Sequence, residues 1–430
     1  MTGARSEGLS STDVRAHNLG LVLSQLDRAG AAARSELARS TGLARGAITL
    51  LVSELREAGL VRDAPAGTSD APRPGRPRER LEVDGDAIAL IGLQFVVDEV
   101  LMSAVDLAGR PLLREARGMR TPHGDPDALV EQLASVIDDI AGRLRAQGVT
   151  PARLVVVVPA PVTRSSETIP VAIDLGWIDV DLAALLRARI DEPPLGIRVV
   201  NDANAAAYAE FAELQAEWAP GMVTDMVYLK SDTGIGGGAI VEGEMLAGPD
   251  GIAFEPGHVV VVPDGDPCAC GKSGCLVTVA GPEIVLTRAG LAAYRDAHGL
   301  PQALDELVRR YRAGEAGAVA ALDEALGWIR LVLANCVALL QPQFVVVGGY
   351  LADLVEELRG MPRSWLSSLG GLAPGAGPEG DVAVGVRPAV HGLFSGVDGA
   401  VLHDRRELLL APDRLRAVGA GWGGNNKFNT

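Results

Sequence analysis

Cysteine is scarce in this 430-residue chain, which has four. So few exclude a disulfide-stapled scaffold. Long apolar runs are missing too. Apolar residues make up 48% of the chain, yet no run of eighteen occurs, so no membrane span is expected. No secretory leader opens the chain, which predicts a cytoplasmic protein. Lysine is absent from the first 80 residues, where twelve arginines face nine acids. The remainder is acidic enough to bring the formal net charge to −16. That balance excludes a protein that coats nucleic acid indiscriminately. A mildly basic head on an acidic body predicts that only the head meets an anionic partner.

The cysteines that are present are clustered. Cys268, Cys270 and Cys275 fall within eight residues, and His258 precedes them by ten. Three thiolates and one imidazole make a full tetrahedral set for a structural zinc, with no position left open for catalysis. Gly271 and Gly274 supply the turns such a loop needs. Cys336 lies in the apolar run Leu331–Leu340 and reads as a small buried side chain. Upstream of the cluster, the apolar strand Met226–Leu229 leads into a glycine-rich turn, Thr233–Gly238.

The N-terminal part has its own pattern. Residues 1–12 are small and polar and read as a disordered tail. Helical spacing begins at Asp13, with Val14, Leu19, Val22, Leu23 and Leu26 on one side. A short second helix spans about Ser35 to Ser40, with Ser35 as N-cap. Thr41-Gly42-Leu43 makes a turn. A third helix runs from about Ala44 to Ala58, with Ile48, Leu51, Val52 and Leu55 inward. This is helix-turn-helix spacing, and Gly59–Arg62 adds the first strand of a wing. Residues 13–63 thus read as a winged helix-turn-helix. Its third helix presents Arg45, Gly46, Thr49 and Ser53 to a double-stranded DNA operator. Residues 64–82 are rich in Pro, Gly and Arg. Gly75-Arg76-Pro77 there suits a minor-groove hook led by Arg76, and the stretch equally suits a stiff linker.

From residue 83 strands and helices alternate, as in an α/β body that runs to about residue 405. Leu154–Val158 is a continuous apolar strand of a buried parallel sheet. Residues 406–430 read as a C-terminal tail.

The order Thr233-Gly-Ile-Gly-Gly-Gly238, then Glu255-Pro256-Gly257-His258, then Cys268-x-Cys270-Gly271-x-x-Gly274-Cys275 resembles the ROK family of repressors, open reading frames and sugar kinases. The resemblance implies an actin-like (ribonuclease H-like) two-lobed body, with sugar bound between the lobes and the 258–275 zinc loop shaping that site. It places Asp202, in Val199-Val200-Asn201-Asp202, at the position where a kinase takes the proton from a sugar hydroxyl. Asn201, Glu255 and His258 complete a polyol clamp, and His258 serves both metal and ligand. Two departures from the family's pattern matter, the first for catalysis and the second for sugar binding. The family's kinases open the body with Asp-x-Gly-Gly-Thr; this chain has Gln94 for the Asp, Val96 and Val97 for the glycines and Asp98 for the Thr. Without the glycines the backbone cannot approach a phosphate, and Asp98 repels it. Val277 stands where the family usually has a sugar-binding Glu.

The sequence therefore predicts a sugar-responsive transcriptional regulator, most simply a repressor, that is not an enzyme. It would bind DNA as a homodimer or homotetramer. The alternatives are an ATP-dependent sugar kinase and a regulator controlled by a protein partner, its sugar pocket vestigial.

Overall fold

The computed structural model of the chain describes residues 11–65, 79–96, 99–163, 168–191, 196–219, 221–359 and 384–418. The head comprises α1 (Ser11–Ala29), β1 (Ala32–Ala33), α2 (Arg34–Thr41), α3 (Arg45–Glu57), β2 (Val61–Asp63) and β3 (Arg80–Val83). Helix α1 starts at Ser11, inside the stretch expected as a tail. Gly42 adopts φ 71°, the left-handed conformation that ends α2 and starts the turn. Ser35 is not the N-cap of α2. Strand β1 ends at Ala33, so the helix begins one residue earlier, and the Glu36 side chain accepts from the Ala33 N–H at 2.9 Å. The three strands pair antiparallel in the order β1-β3-β2. The two arms of residues 61–83 are therefore a hairpin. Glu79, just before β3, bridges Arg34 at 2.6 Å and Arg56 at 2.9 Å, which ties the hairpin to α2 and α3. Those two guanidiniums hold the Glu79 carboxyl down at about 2.

The body opens with β4 (Ile88–Val96), β5 (Glu99–Asp106), β6 (Pro111–Gly118), α4 (Pro126–Ala146), β7 (Thr150–Val158), β8 (Ile169–Ala172), β9 (Trp177–Val180), α5 (Leu182–Arg187), β10 (Gly196–Asn201) and α6 (Asp202–Glu217). The second half holds β11 (Met226–Ser231), β12 (Ile235–Val241), β13 (Glu244–Met245), α7 (Leu276–Ala280), α8 (Pro282–Arg288), α9 (Ala292–His298), α10 (Leu300–Arg312), α11 (Ala316–Leu340), β14 (Phe344–Gly349), α12 (Val355–Leu358), β15 (Gly385–Pro388) and α13 (Ser395–Leu410).

Two five-stranded sheets share one topology. Their orders are β6-β5-β4-β7-β10 and β13-β12-β11-β14-β15. In each, the first three strands pair antiparallel and the last two join in parallel. This duplicated arrangement is the two-lobed actin-like fold. Each sheet buries one face under its own helices, α4 and α5 in the first lobe and α7 to α11 in the second. Helices α6 and α13 pack on each other, and each also meets strands of the sheets.

Residues 406–418, expected as part of a C-terminal tail, belong to the folded body. Helix α13 continues to Leu410, and a 3-10 turn spans Pro412–Val418. Leu408, Leu409 and Leu415 are buried in one cluster with Leu19, Leu23 and Leu26 of α1. Three apolar residues at the end of a helix need cover, and the head provides it. Among the described residues no single helix is long and apolar enough to cross a membrane.

Candidate functional site

Parallel strand β10 ends at Asn201, and α6 starts on the next residue. Asn201 caps that helix: its Oδ1 accepts from the Asn204 N–H at 2.9 Å. Its Nδ2 donates to the Ala160 carbonyl at 3.1 Å, in the proline-rich turn after β7. The residue expected to clamp a ligand thus anchors the strand end as well. Asp202 Oδ1 accepts from the Ala203 N–H at 2.8 Å, and Oδ2 accepts from Lys230 Nζ at 2.6 Å.

Lys230 was missed by the motif reading. It ends the apolar part of β11, almost buried, and also donates to Asp232 Oδ2 at 2.8 Å. Burial alone would lower its pKa; the Asp202 and Asp232 charges outweigh burial and raise it. The same ammonium keeps the Asp232 carboxyl below its ordinary range against the opposite pull of burial. A signal existed in the sequence. The chain has three lysines, Lys230, Lys272 and Lys427, among 39 cationic residues. A lysine kept between an apolar strand and a glycine run, in a chain that otherwise uses arginine, marks a compact charge with a task.

The glycine-rich segment corrects another expectation. Only Asp232–Gly234 turns; Gly236, Gly237 and Gly238 lie in β12. A Cβ on Gly236 would sit 3.0 Å from the Ala203 Cβ, one on Gly238 2.7 Å from the Ala207 Cβ, and one on Gly237 2.7 Å from Pro256. These glycines let α6 and the 256–258 turn press against the strand. They position Asp202 and Glu255 and do not form a phosphate cradle by themselves.

Glu255 precedes the 3-10 turn Pro256–His258. Burial, reinforced by the Asp202 charge, pushes its carboxyl up to about 7. Asp202, next to Asn201 and paired with Lys230, is thus close enough to Glu255 for its charge to act on it. Gly257 has no side chain because the Ile235 carbonyl occupies that space. This contact fixes His258 beside the glycine strand.

The four sequence-predicted metal ligands do converge. One ligand atom from each of His258, Cys268, Cys270 and Cys275 lies within 4.8 Å of every other. His258 Nδ1 faces Cys268 Sγ at 3.5 Å, and Cys270 and Cys275 sulfurs are 3.6 Å apart. Burial, then Lys272, lowers the His258 pKa, which favours the neutral imidazole and its lone pair. The Lys272 backbone N–H lowers Cys270, whereas burial and the adjacent sulfurs push Cys275 up to about 12. A thiol so disfavoured as a thiolate needs a cation to ionise it at neutral pH, so this donor set fits a metal ion. Val277 follows in α7, half-buried, and offers no acceptor.

Gln94 lies in β4, 6% exposed, packed against Gly396 of α13, with Oε1 unpartnered. Residues 97 and 98 lie outside the described residues. So does Arg76. In the head, Arg45, Gly46, Thr49 and Ser53 share the exposed face of α3, and Thr49 Oγ1 donates to the Arg45 carbonyl at 3.0 Å. Leu50, 66% exposed, stands on this face and was not anticipated.

A winged three-helix head on a two-lobed, actin-like body with a Cys/His cluster defines a narrow class of proteins. The ROK family model matches residues 90–403. The chain belongs to the ROK family. It is 26% identical over 344 residues to the xylose repressor of Caldicellulosiruptor bescii, covering 76% of this chain and 82% of the relative. It is 29% identical over 278 residues to the N-acetylmannosamine kinase of Escherichia fergusonii, covering 61% of this chain and 87% of the kinase. The crystal structure of a ROK family transcriptional regulator, a homologue of the E. coli MLC protein, superposes with a TM-score of 0.72 at 19% identity over 94% of this chain and 99% of that one. That last likeness is one of fold.

Proposed function

We propose that the protein is a sugar-responsive, DNA-binding transcriptional regulator, a repressor by simplest reading, without kinase activity. The observation that carries this is the joint presence of the head and a body whose Asp202 is ion-paired with Lys230 at 2.6 Å. The exposed α3 face of Arg45, Gly46, Thr49, Leu50 and Ser53 supplies the reading helix. Two heads in a homodimer or homotetramer would span an inverted repeat. In this reading Arg76 and the 64–82 segment would add minor-groove contacts beside the recognition helix.

Asn201, Asp202, Glu255 and His258 are the polyol clamp in this reading. A carboxylate, a carboxamide and a carboxyl that protonates near neutrality offer both acceptors and donors to adjacent hydroxyls. His258, Cys268, Cys270 and Cys275 would hold one zinc, which supplies rigidity to the 258–275 loop and orients His258. Kinase chemistry is disfavoured on three counts. Gln94 lacks the charge to help hold magnesium, β12 is a packed strand, and Asp232 places a carboxylate at its turn.

The test has two parts. Selection from a random DNA pool should yield an inverted repeat, released by a sugar such as D-xylose or N-acetyl-D-mannosamine in a panel. ATP turnover with the same sugars should stay far below roughly 1 s⁻¹, an ordinary enzymatic rate. Turnover at that rate, or no DNA selected, overturns the reading.

A further inference from the structure

Three consecutive residues of α13 each hold a different part of the molecule. Asp404, 1% exposed, accepts from Arg198 Nη1 at 2.8 Å, and Arg153 Nε lies 2.9 Å from its other oxygen. Arg198 is on β10, three residues before Asn201, and Arg153 is on neighbouring β7. Gly196 leaves room for the Arg153 guanidinium. Arg405, 7% exposed, donates Nε to the Leu107 carbonyl at 2.9 Å and its Nη atoms to Asp27 of α1, Nη1 at 3.2 Å. Arg406 reaches Tyr208 of α6, the Gly243 carbonyl at 3.4 Å and Glu244 at 3.2 Å in the second lobe.

The backbone follows the same logic. A methyl on Gly399 would meet the Ala205 carbonyl of α6, and one on Gly20 of α1 would meet the Leu410 carbonyl. Helix α13 therefore touches the helix that begins at Asp202 near one end and the head near the other. Beside this junction is a cavity of about 230 Å³ lined by Leu26, Asp27, Arg62, Glu82, Val83 and Arg110.

We propose that Asp404 and Arg405 are positioning residues that couple the Asn201–Asp202 strand end to the DNA-binding head. Asp404 follows β10 through Arg198, and Arg405 hands the position of α13 to α1 through Asp27. Asp404 and Arg405 hold such a link because each, nearly buried, is left uncompensated if its 30%-exposed partner, Arg198 or Asp27, moves away, whereas fully exposed pairs slip freely. The coupling to an effector rests on the proposed regulatory function; the mechanical link itself does not. The physical requirement is one element whose arrangement both sites bias, and α13 meets it.

The test is hydrogen exchange on the full chain, wild type against Asp404→Asn and Arg405→Gln. Asp404 pairs with Arg198 and Arg153, both on body strands, so a local role predicts unchanged exchange in α1. Coupling predicts that Asp404→Asn speeds α1 amides by roughly tenfold or more, while β11, β12 and β14 stay as in wild type. Arg405→Gln should speed α1 and leave β10 and α6 unchanged. Should Asp404→Asn fail to fold, Arg198→Gln, at a guanidinium 30% exposed on β10, tests the link by the same α1 readout. Unchanged α1 exchange in whichever variant folds overturns the link. A second arm adds D-xylose or N-acetyl-D-mannosamine. A sugar that alters α6 in every protein but α1 only in wild type supports the coupling. One that alters α1 equally in wild type and Arg405→Gln overturns it. If neither sugar alters any segment, those two sugars are removed as effectors and the ligand-free arm alone decides the link.

Discussion

Lys230 Nζ lies 2.6 Å from Asp202 Oδ2, with both side chains close to nine-tenths buried. Asp202 is the carboxylate that the family resemblance places at the proton-accepting position of a sugar kinase. Here an ammonium already occupies one of its oxygens, and Asp232 shares the same cation. A base committed to a buried lysine is a poor acceptor for a sugar proton and a good fixed acceptor for a hydroxyl hydrogen bond. In the proposed reading the pair suits Asp202 to recognising a hydroxyl more than to reacting with one.

Removing the cation should therefore be costly. Lys230→Met leaves Asp202 and Asp232 facing each other without a counter-charge. Losing one partner of a buried pair costs about 3–5 kcal/mol. Urea melts at pH 7 should show that loss. A variant as stable as wild type would mean the pair is solvated and the argument for a fixed Asp202 fails.

The triad also sets an acid limb. Asp232 has a folded-state pKa below its ordinary value, so its contribution is present above the ordinary carboxylate range. It is lost as the pH falls through the depressed folded value. Asp232→Asn should cost stability at pH 7 and cost less near pH 3. An equal cost at both pH values contradicts the depressed pKa.

Metal content is the most direct check on the cysteine cluster. Purified protein should carry about one zinc per chain, by the closed four-ligand rule. Chelation, or Cys275→Ala, should lower the melting midpoint by about 2–4 °C for each kcal/mol lost. Elemental analysis that finds no metal in a fully folded protein, with a melt indifferent to chelator, excludes the site.

For the ligand clamp, Asp202→Ala should abolish the response to sugar while DNA binding persists, because α3 is far from β10 in the chain and packs in a separate core. Fluorescence anisotropy with a selected operator, with and without sugar, measures both. A normal sugar response in this variant moves the pocket elsewhere.

On the DNA side, Arg45→Ala should cost about 1–3 kcal/mol and relax preference at one base pair, as loss of a base contact does. Arg76→Ala should weaken binding chiefly at sites with A·T-rich flanks, since its readout is of groove width. Footprinting on symmetric and scrambled flanks separates the two. Equal binding of every flank by Arg76→Ala leaves residues 64–82 as a connector.

Much of this protein was legible as sequence because its signals are local. The 3.6-residue spacing of Ile48, Leu51, Val52 and Leu55 fixed α3 to within a residue at each end. The continuous apolar run Leu154–Val158 announced a buried parallel strand. His258 and the three cysteines lie within eighteen residues, so one loop suffices to bring them together. Tertiary structure decided the rest. Lys230 meets Asp202 across 28 residues because β11 and α6 pack around the glycines of β12. Those glycines read as a turn in one dimension, and packing against Ala203, Ala207 and Pro256 made them a strand. Leu408 and Leu409 read as a tail, since nothing near them in sequence needs cover; α1, almost four hundred residues earlier, supplies it. Periodicity dictates which face of an element is apolar, but only the duplicated sheets and the helices packed on them determine what that face meets.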